Sequence, residues 1–170
     1  MTLTPGIRKL ALTAHVVSSV GWLGAVAGFL SLAVVGLTSE SARTVRGAYL
    51  VMEPAAWFVL VPLALASLLT GLVQSLGTSW GLFRHYWVLF KLVINVVATA
   101  VLLTYMETFR LMADVAADPT SELEAVRNPS PLLHSIGALV LLLAATSLAV
   151  YKPSGLTPYW RRKCAGQRRL

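Results

Sequence analysis

The sequence is poor in charge. Asp, Glu, Lys and Arg make up 12% of its 170 residues, against roughly a quarter in a soluble domain. With 56% hydrophobic residues and a mean hydropathy of +0.72, a water-soluble globule is excluded. Cys164 is the single cysteine, which excludes an intramolecular disulfide framework and any cysteine-rich zinc or iron–sulfur site. The three histidines, His15, His85 and His134, are too few for a wire of two bis-histidine haems, which needs four ligands. Acids are scarce as well, at seven. There is no internal repeat, no low-complexity stretch, and no Walker, HExxH or GxSxG motif.

What is present is apolar sequence in lengths that match a bilayer. Four stretches, at about 10–37, 54–76, 86–108 and 131–151, are each long enough to cross about 30 Å of hydrocarbon at 1.5 Å per residue. The expected fold is therefore all-α, a single polytopic membrane domain over 1–170 with four transmembrane helices in a bundle and a basic tail at 152–170. The first stretch follows Arg8 and Lys9 but is far longer than the apolar core of a signal peptide and lacks a small-x-small cleavage site. It reads as a retained signal-anchor helix. Pro54 and Pro131 are expected in the first turns of their helices, where a missing N–H costs nothing, and Pro62 is expected to bend the second helix.

Lysine and arginine set the orientation. With both termini inside, the inner segments carry Arg8, Lys9, Arg84, Lys152, Arg161, Arg162, Lys163, Arg168 and Arg169, whereas the outer ones carry Arg43, Arg46, Arg110 and Arg127. The acids Glu40, Glu53, Glu107, Asp114, Asp118, Glu122 and Glu124 all fall on or near the outer side. The expectation is a multi-pass protein of the cytoplasmic (inner) membrane with N- and C-termini in the cytoplasm. Tyr86, Trp87 and Tyr151 mark the inner border, and Tyr49 and Trp57 the outer one. The basic tail sits most simply on anionic lipid headgroups, and no nucleic-acid partner is expected. The acids of the outer loop read as a solvated face, with a cap at Thr120-Ser121 leading into a short surface helix.

Polar and ionisable groups within a span are costly and tend to face the interior of the assembly. Helix one carries His15, Ser18, Ser19 and Trp22 on one face, followed by Gly21, Gly24 and Gly28, a small-residue surface suited to a homo-oligomer or a membrane partner. Helix three carries Lys91, Asn95 and Thr99 at intervals of four, continuing to Leu102 and Met106. Helix two adds Thr70, Gln74 and Thr78. Counted along the helices, His15 lies roughly 8 Å above the inner border, at the height of Lys91, while His134 lies roughly 25 Å up. His15 and Lys91 can share a site; His15 and His134 cannot ligate one atom. His134 keeps company instead with Met52, Glu53, Tyr105, Met106 and Glu107.

Each residue also has a plainer reading. Lys91 is a cofactor or substrate residue, or a lysine that snorkels to the inner headgroups past Trp87. His134 and Glu53 are ligands, or anchors of a loop at the outer border. His85, beside Arg84, is interfacial. The methionines pack, or serve as soft ligands to haem iron or Cu(I). His15 is the hardest to explain as structure, because it is neither at the border nor among polar loop residues.

Three elements carry a resemblance: His15 followed by Trp22-Leu23-Gly24, the opening Tyr86-Trp87-Val88-Leu89-Phe90-Lys91 of helix three, and the stretch from His134 to Tyr151-Lys152-Pro153-x-Gly155-x-Thr157. Over nearly the whole chain these look like a bacterial family of small four-helix membrane proteins. More distantly the chain is similar to the HemJ-type protoporphyrinogen oxidases and to the CopD copper-resistance membrane domain. In the HemJ-type family a histidine early in helix one and a lysine early in helix three are functional, and b-type haem is bound. That likeness implies haem b at His15, with Lys91 as the second functional residue, and an oxidoreductase. The CopD likeness would draw on His134 with Met52 and Met106.

The candidate site is thus Lys91 as a catalytic residue, His15, Trp22 and Asn95 as cofactor-binding residues, and His15, His134 and Met106 as metal ligands in their separate layers. The function expected is binding of b-type haem or a porphyrin for redox chemistry. The alternatives are a metal- or ion-handling module using Glu53, Met106, Glu107 and His134, and a non-catalytic accessory subunit packed through the glycine face of helix one.

Overall fold

The computed structural model describes residues 4–77 and 81–161. Thr78 and the second part of the basic tail, residues 162–170 with Cys164, lie outside the described residues. The chain is all-helical, and among the described residues there is no strand, only an isolated antiparallel bridge between His85 and Leu156. Its helices are α1 (Pro5–Thr38), α2 (Ala42–Ala55), α3 (Val61–Gly77), α4 (Tyr86–Ala117), α5 (Leu123–Val126) and α6 (Ser130–Tyr151), with a π-helical segment, Ala56–Leu60, joining α2 to α3. Four rods are long and apolar enough to cross a membrane: Pro5–Thr38, Ala42–Gly77, Tyr86–Ala117 and Leu123–Tyr151, the last including the short α5. Their outward faces are apolar, with Leu10, Val17, Phe58, Val140 and Val150 all exposed.

The rods pack in sequence, α1 against α2 and α3, these two against α4, α4 against α6, and α6 back against α1. The buried centre is aromatic and small by turns. Phe109 of α4 meets Phe29 of α1 edge-on at 5.5 Å and Tyr105 edge-on at 4.9 Å, while Ala33, Ala56 and Ala64 are fully enclosed.

The second rod begins twelve residues before the expected start. Pro54 is therefore inside α2 and not in a first turn, and Glu53 is a helical residue. The α2 sequence was hidden from a search for apolar runs because Arg43, Arg46 and Glu53 interrupt it. Its core face is nevertheless a regular helical stripe of Val45, Ala48, Tyr49 and Met52 behind a Ser41 N-cap. Tyr49 faces the core: it is fully buried, and its hydroxyl donates to the Asn128 carbonyl and accepts from the Asn128 amide. Two prolines eight residues apart each remove an N–H from the ladder. Between them the backbone widens to a π-turn, closed by the Val61 N–H donating to the Ala56 carbonyl.

The third rod also overruns its expected end, at 108, by nine residues. Phe109, Met112, Ala113 and Ala116 continue one face beyond the apolar run and pack on α2. Asp118, not Thr120 or Ser121, organises the following turn: its carboxylate accepts from the Thr120 amide and hydroxyl at 2.9 and 2.7 Å, and Glu122 stands at the N-cap position of α5 without a side-chain bond to it. The Thr120 hydrogen bonds, with those from Ser121 and the charge of Arg46, hold the Asp118 carboxyl below its ordinary value. Arg46 closes this end. Its guanidinium donates to the carbonyls of Ala116, Asp118 and Ser121 at 3.0, 2.6 and 2.5 Å, tying the last turn of α4 to the turn that follows it. Arg127 similarly donates to the Ser39 carbonyl at 2.8 Å, between α1 and α2.

At the other end, the Tyr86 amide donates to Gly155, and the Thr157 amide to Arg84. These bonds lash the stretch after α6 to the segment before α4, and Arg84 lies over the Trp160 ring at 5.0 Å.

Arg46→Ala should fray α4 from Ala113 to Ala117 and cost about 1–3 kcal/mol, the range for losing charge-assisted hydrogen bonds to a partly exposed group. Arg46→Lys should recover only part of it, because an ammonium cannot reproduce the fork. Amide hydrogen exchange over residues 113–118 reads this directly.

Candidate functional site

The structure brings His15, Lys91 and Asn95 together. His15 is buried on the face of α1 that meets α3, and it is held from both sides. Its Nδ1 lies 3.1 Å from Thr70 Oγ1 and its Nε2 lies 3.0 Å from Lys91 Nζ. The proton positions follow from the partners. Thr70 spends its single hydroxyl hydrogen on the Ala66 carbonyl at 2.5 Å, so its oxygen can only accept from His15. Nδ1 therefore carries the hydrogen, and Nε2 presents its lone pair to the Lys91 amino group.

Sequence features explain the geometry. Lys91 and Asn95 are one turn apart on α4, and Asn95 Nδ2 donates to the Lys91 carbonyl at 2.9 Å. The Asn95 oxygen accepts from Ser67 Oγ at 3.4 Å, and Ser67 in turn meets Ser19 Oγ at 2.8 Å. Gln74 Nε2 donates to the Ala11 carbonyl, one turn below His15. Gly71 permits the approach of α1 and α3, since a Cβ on it would stand 3.0 Å from His15 Cε1. Thr70 and Gln74 were marked by their spacing of four. Ser67 and Gly71 share that face, since 67, 70, 71, 74 and 75 follow the helical spacing, and only the full stripe would have marked them.

These residues line a cavity of about 440 Å³, within the 300–1,000 Å³ range of small-molecule sites. Leu12, Val16, Leu68, Trp87, Val88 and Leu92 form its apolar walls. Lys91 and Lys152 are its charged lining residues, and no acid lines it among the described residues.

Other candidates fall elsewhere. Trp22, expected beside His15, lines a second cavity of about 390 Å³ that shares no residue with the first. His134 lies there too, on a face of α6 that is exposed, stacked on the Tyr105 ring at 4.1 Å with its Nδ1 2.9 Å from the Ser130 carbonyl. Met106 is buried in the hydrophobic core, and Glu107 pairs at 3.5 Å with Arg110 on the outside of α4. His85 sits in the loop before α4, outside the His15 cavity. Among the described residues no three His, Cys, Asp or Glu side chains are grouped to hold a metal ion. Gly24 and Gly28 face open space, whereas Gly21 packs on Leu63 and Gly36 on Tyr49.

No protein-family model, no curated protein and no solved structure matches this chain. The likeness to the HemJ-type and CopD proteins therefore rests on the short elements that carry it.

A b-type haem can be tested against this donor set. It asks for an imidazole with its remote nitrogen fixed and its near nitrogen open to an apolar cavity, and for cations near its carboxylates. Thr70 fixes the remote nitrogen of His15, whereas the near nitrogen is paired with Lys91 Nζ at 3.0 Å and would open only with that lysine turned away; Lys91 and Lys152 both line the cavity, where a cation could meet a carboxylate. The residues fit.

Thr70→Val should leave the His15 N–H unpaired in an apolar setting, at a cost of about 1–3 kcal/mol. Thr70→Ser, which keeps the hydroxyl, should lose less. Thermal unfolding of the two variants in one detergent compares them.

Proposed function

We propose that the chain is a four-helix bundle of the cytoplasmic membrane with both termini in the cytoplasm, and that its inner cavity binds b-type haem or a related porphyrin for redox chemistry. The orientation rests on the lysine and arginine distribution. It places the basic tail against anionic headgroups. The observation that carries the functional reading is the His15–Lys91 contact: a histidine whose Nδ1–H is anchored on Thr70, and whose Nε2 faces a lysine at 3.0 Å within an apolar cavity.

In this reading His15 would hold the iron through Nε2, and Thr70 keeps the ring in the required tautomer. Lys91 would hold a carboxylate of the macrocycle in place of its contact with the imidazole, and Asn95 fixes the lysine's turn of helix through its carbonyl. The apolar walls exclude water. The haem supplies one-electron chemistry, and the protein binds, orients and tunes it. Lys91 is the residue placed to touch a substrate carboxylate or to handle a proton, which makes it the catalytic candidate. The ion-handling alternative gains nothing from Glu107, which turns outward to Arg110.

The test is an absorption spectrum of the purified protein, expressed with haem precursor supplied, air-oxidised and then dithionite-reduced. A Soret band that sharpens on reduction is expected, lost in His15→Ala. Lys91→Arg should retain the band and weaken haem retention or turnover, because a planar fork cannot replace a compact ammonium in this space. A featureless spectrum, or a band unaffected by His15→Ala, would refute the assignment.

A further inference from the structure

The second cavity has the construction of a ligand site with a different chemistry. It is a groove of about 390 Å³ bounded by α1, α4 and α6, from Trp22 and Ala98 to Phe29, Phe109 and Pro131. Its lining is almost wholly apolar, and it is flanked by the exposed residues Val101, Leu133 and Leu141, which face outward among the apolar surfaces of α4 and α6. A ligand would enter it sideways, from the hydrocarbon.

Three polar groups in this groove have unused hydrogen-bonding capacity among the described residues. Trp22 is 2% exposed and its indole N–H has no acceptor. Ser135 is 8% exposed, and its hydroxyl makes no bond to the preceding turn of α6. The third is His134. Its Nδ1 lies 2.9 Å from the Ser130 carbonyl and 3.3 Å from Ser130 Oγ; the shorter contact is to an atom that only accepts, which favours the hydrogen on Nδ1 and the lone pair on Nε2. Tyr105 stacks flat on that imidazole and spends its own hydroxyl on Ser130 Oγ at 2.7 Å. The ring is therefore held in position and in tautomer while its acceptor stays open. Unpaired polar groups at an apolar site are costly, and a ligand that pairs them is favoured by that cost.

We propose that this groove binds the ring of a membrane-dissolved hydroquinone, with one ring hydroxyl donating to His134 Nε2. An alkyl or isoprenoid tail would follow the apolar side of the groove. Trp22 and Ser135 supply donors for the oxygen lone pairs, and Phe29, Tyr105 and Phe109 supply the flat apolar faces that an aromatic ring packs against. A fatty acyl chain would satisfy the walls and none of the polar groups. A charged headgroup would meet no ion of opposite sign. The inference does not rest on the haem reading, because the two cavities share no lining residue.

The experiment is equilibrium binding to the full chain in nanodiscs, comparing a decyl-substituted benzohydroquinone with its dimethyl ether, which has the same ring and tail but no hydroxyl. The hydroquinone should bind at least tenfold more tightly. His134→Phe, which keeps an aromatic ring on Tyr105 and removes the acceptor, should abolish that preference, and Trp22→Phe should reduce affinity for both probes. Equal binding of the two probes to the unaltered protein would mean that the groove takes apolar chains only, and would overturn the proposal. So would a preference that survives His134→Phe. The first comparison needs no variant, so it holds even if a substitution prevents folding.

Discussion

A buried imidazole that must satisfy both of its nitrogens without water is the constraint around which the inner half of the molecule is built. His15 meets it with two different helices, Thr70 from α3 on one nitrogen and Lys91 from α4 on the other. Two hydrogen bonds thus fix three rods at one height. The remaining polar side chains fall into place around them: Thr70 turns its hydrogen back to Ala66, and Ser67 joins Ser19 to Asn95. Such a network is worth most when complete, since each polar group left open in an apolar setting carries the full cost of its lost hydration.

The end that Arg46 closes follows another logic. There α2 and the extension of α4 are amphipathic helices with charged outer faces, and they are tied by side chains to backbone carbonyls. Arg46 gathers three such carbonyls, Arg127 takes Ser39, and Tyr49 holds both the amide and the carbonyl of Asn128. This end is thus fastened by cations and a phenol acting on helix termini and loops, whereas the inner site is fastened by side chains acting on one another. Asp118 contributes locally by folding its own turn.

How much of this could be read in advance depends on the signal each part carries. The four rods were legible because a helix in hydrocarbon needs a long apolar run, and His15 and Lys91 were placed together by counting 1.5 Å per residue from the same border. The ends of the rods were not. Arg43, Arg46 and Glu53 break the apolar run of α2, so the prolines at 54 and 62 were the strongest marks left, and Pro54 pointed to a helix start that lies at Ala42. The 45-48-49-52 stripe was the available signal. Trp22 was grouped with His15 because both stand on one face of α1, but seven residues are two turns, about 10 Å, and over that rise the neighbours change from Lys91 and Asn95 to Tyr105 and His134. Gly71 stands on the face of α3 that carries Ser67, Gln74 and Ser75, but that a glycine is needed there is set by the ring that comes to rest on it.

The account turns on the tautomer of His15, and nitrogen-15 magnetic resonance of the histidine-labelled protein in bilayers reads it without any ligand. A neutral His15 protonated at Nδ1, with an Nε2 resonance that shifts when Lys91 is replaced by methionine, is the predicted result. An Nε2–H tautomer, or an Nε2 signal indifferent to Lys91→Met, would contradict the arrangement of Thr70, His15 and Lys91 from which the site is derived.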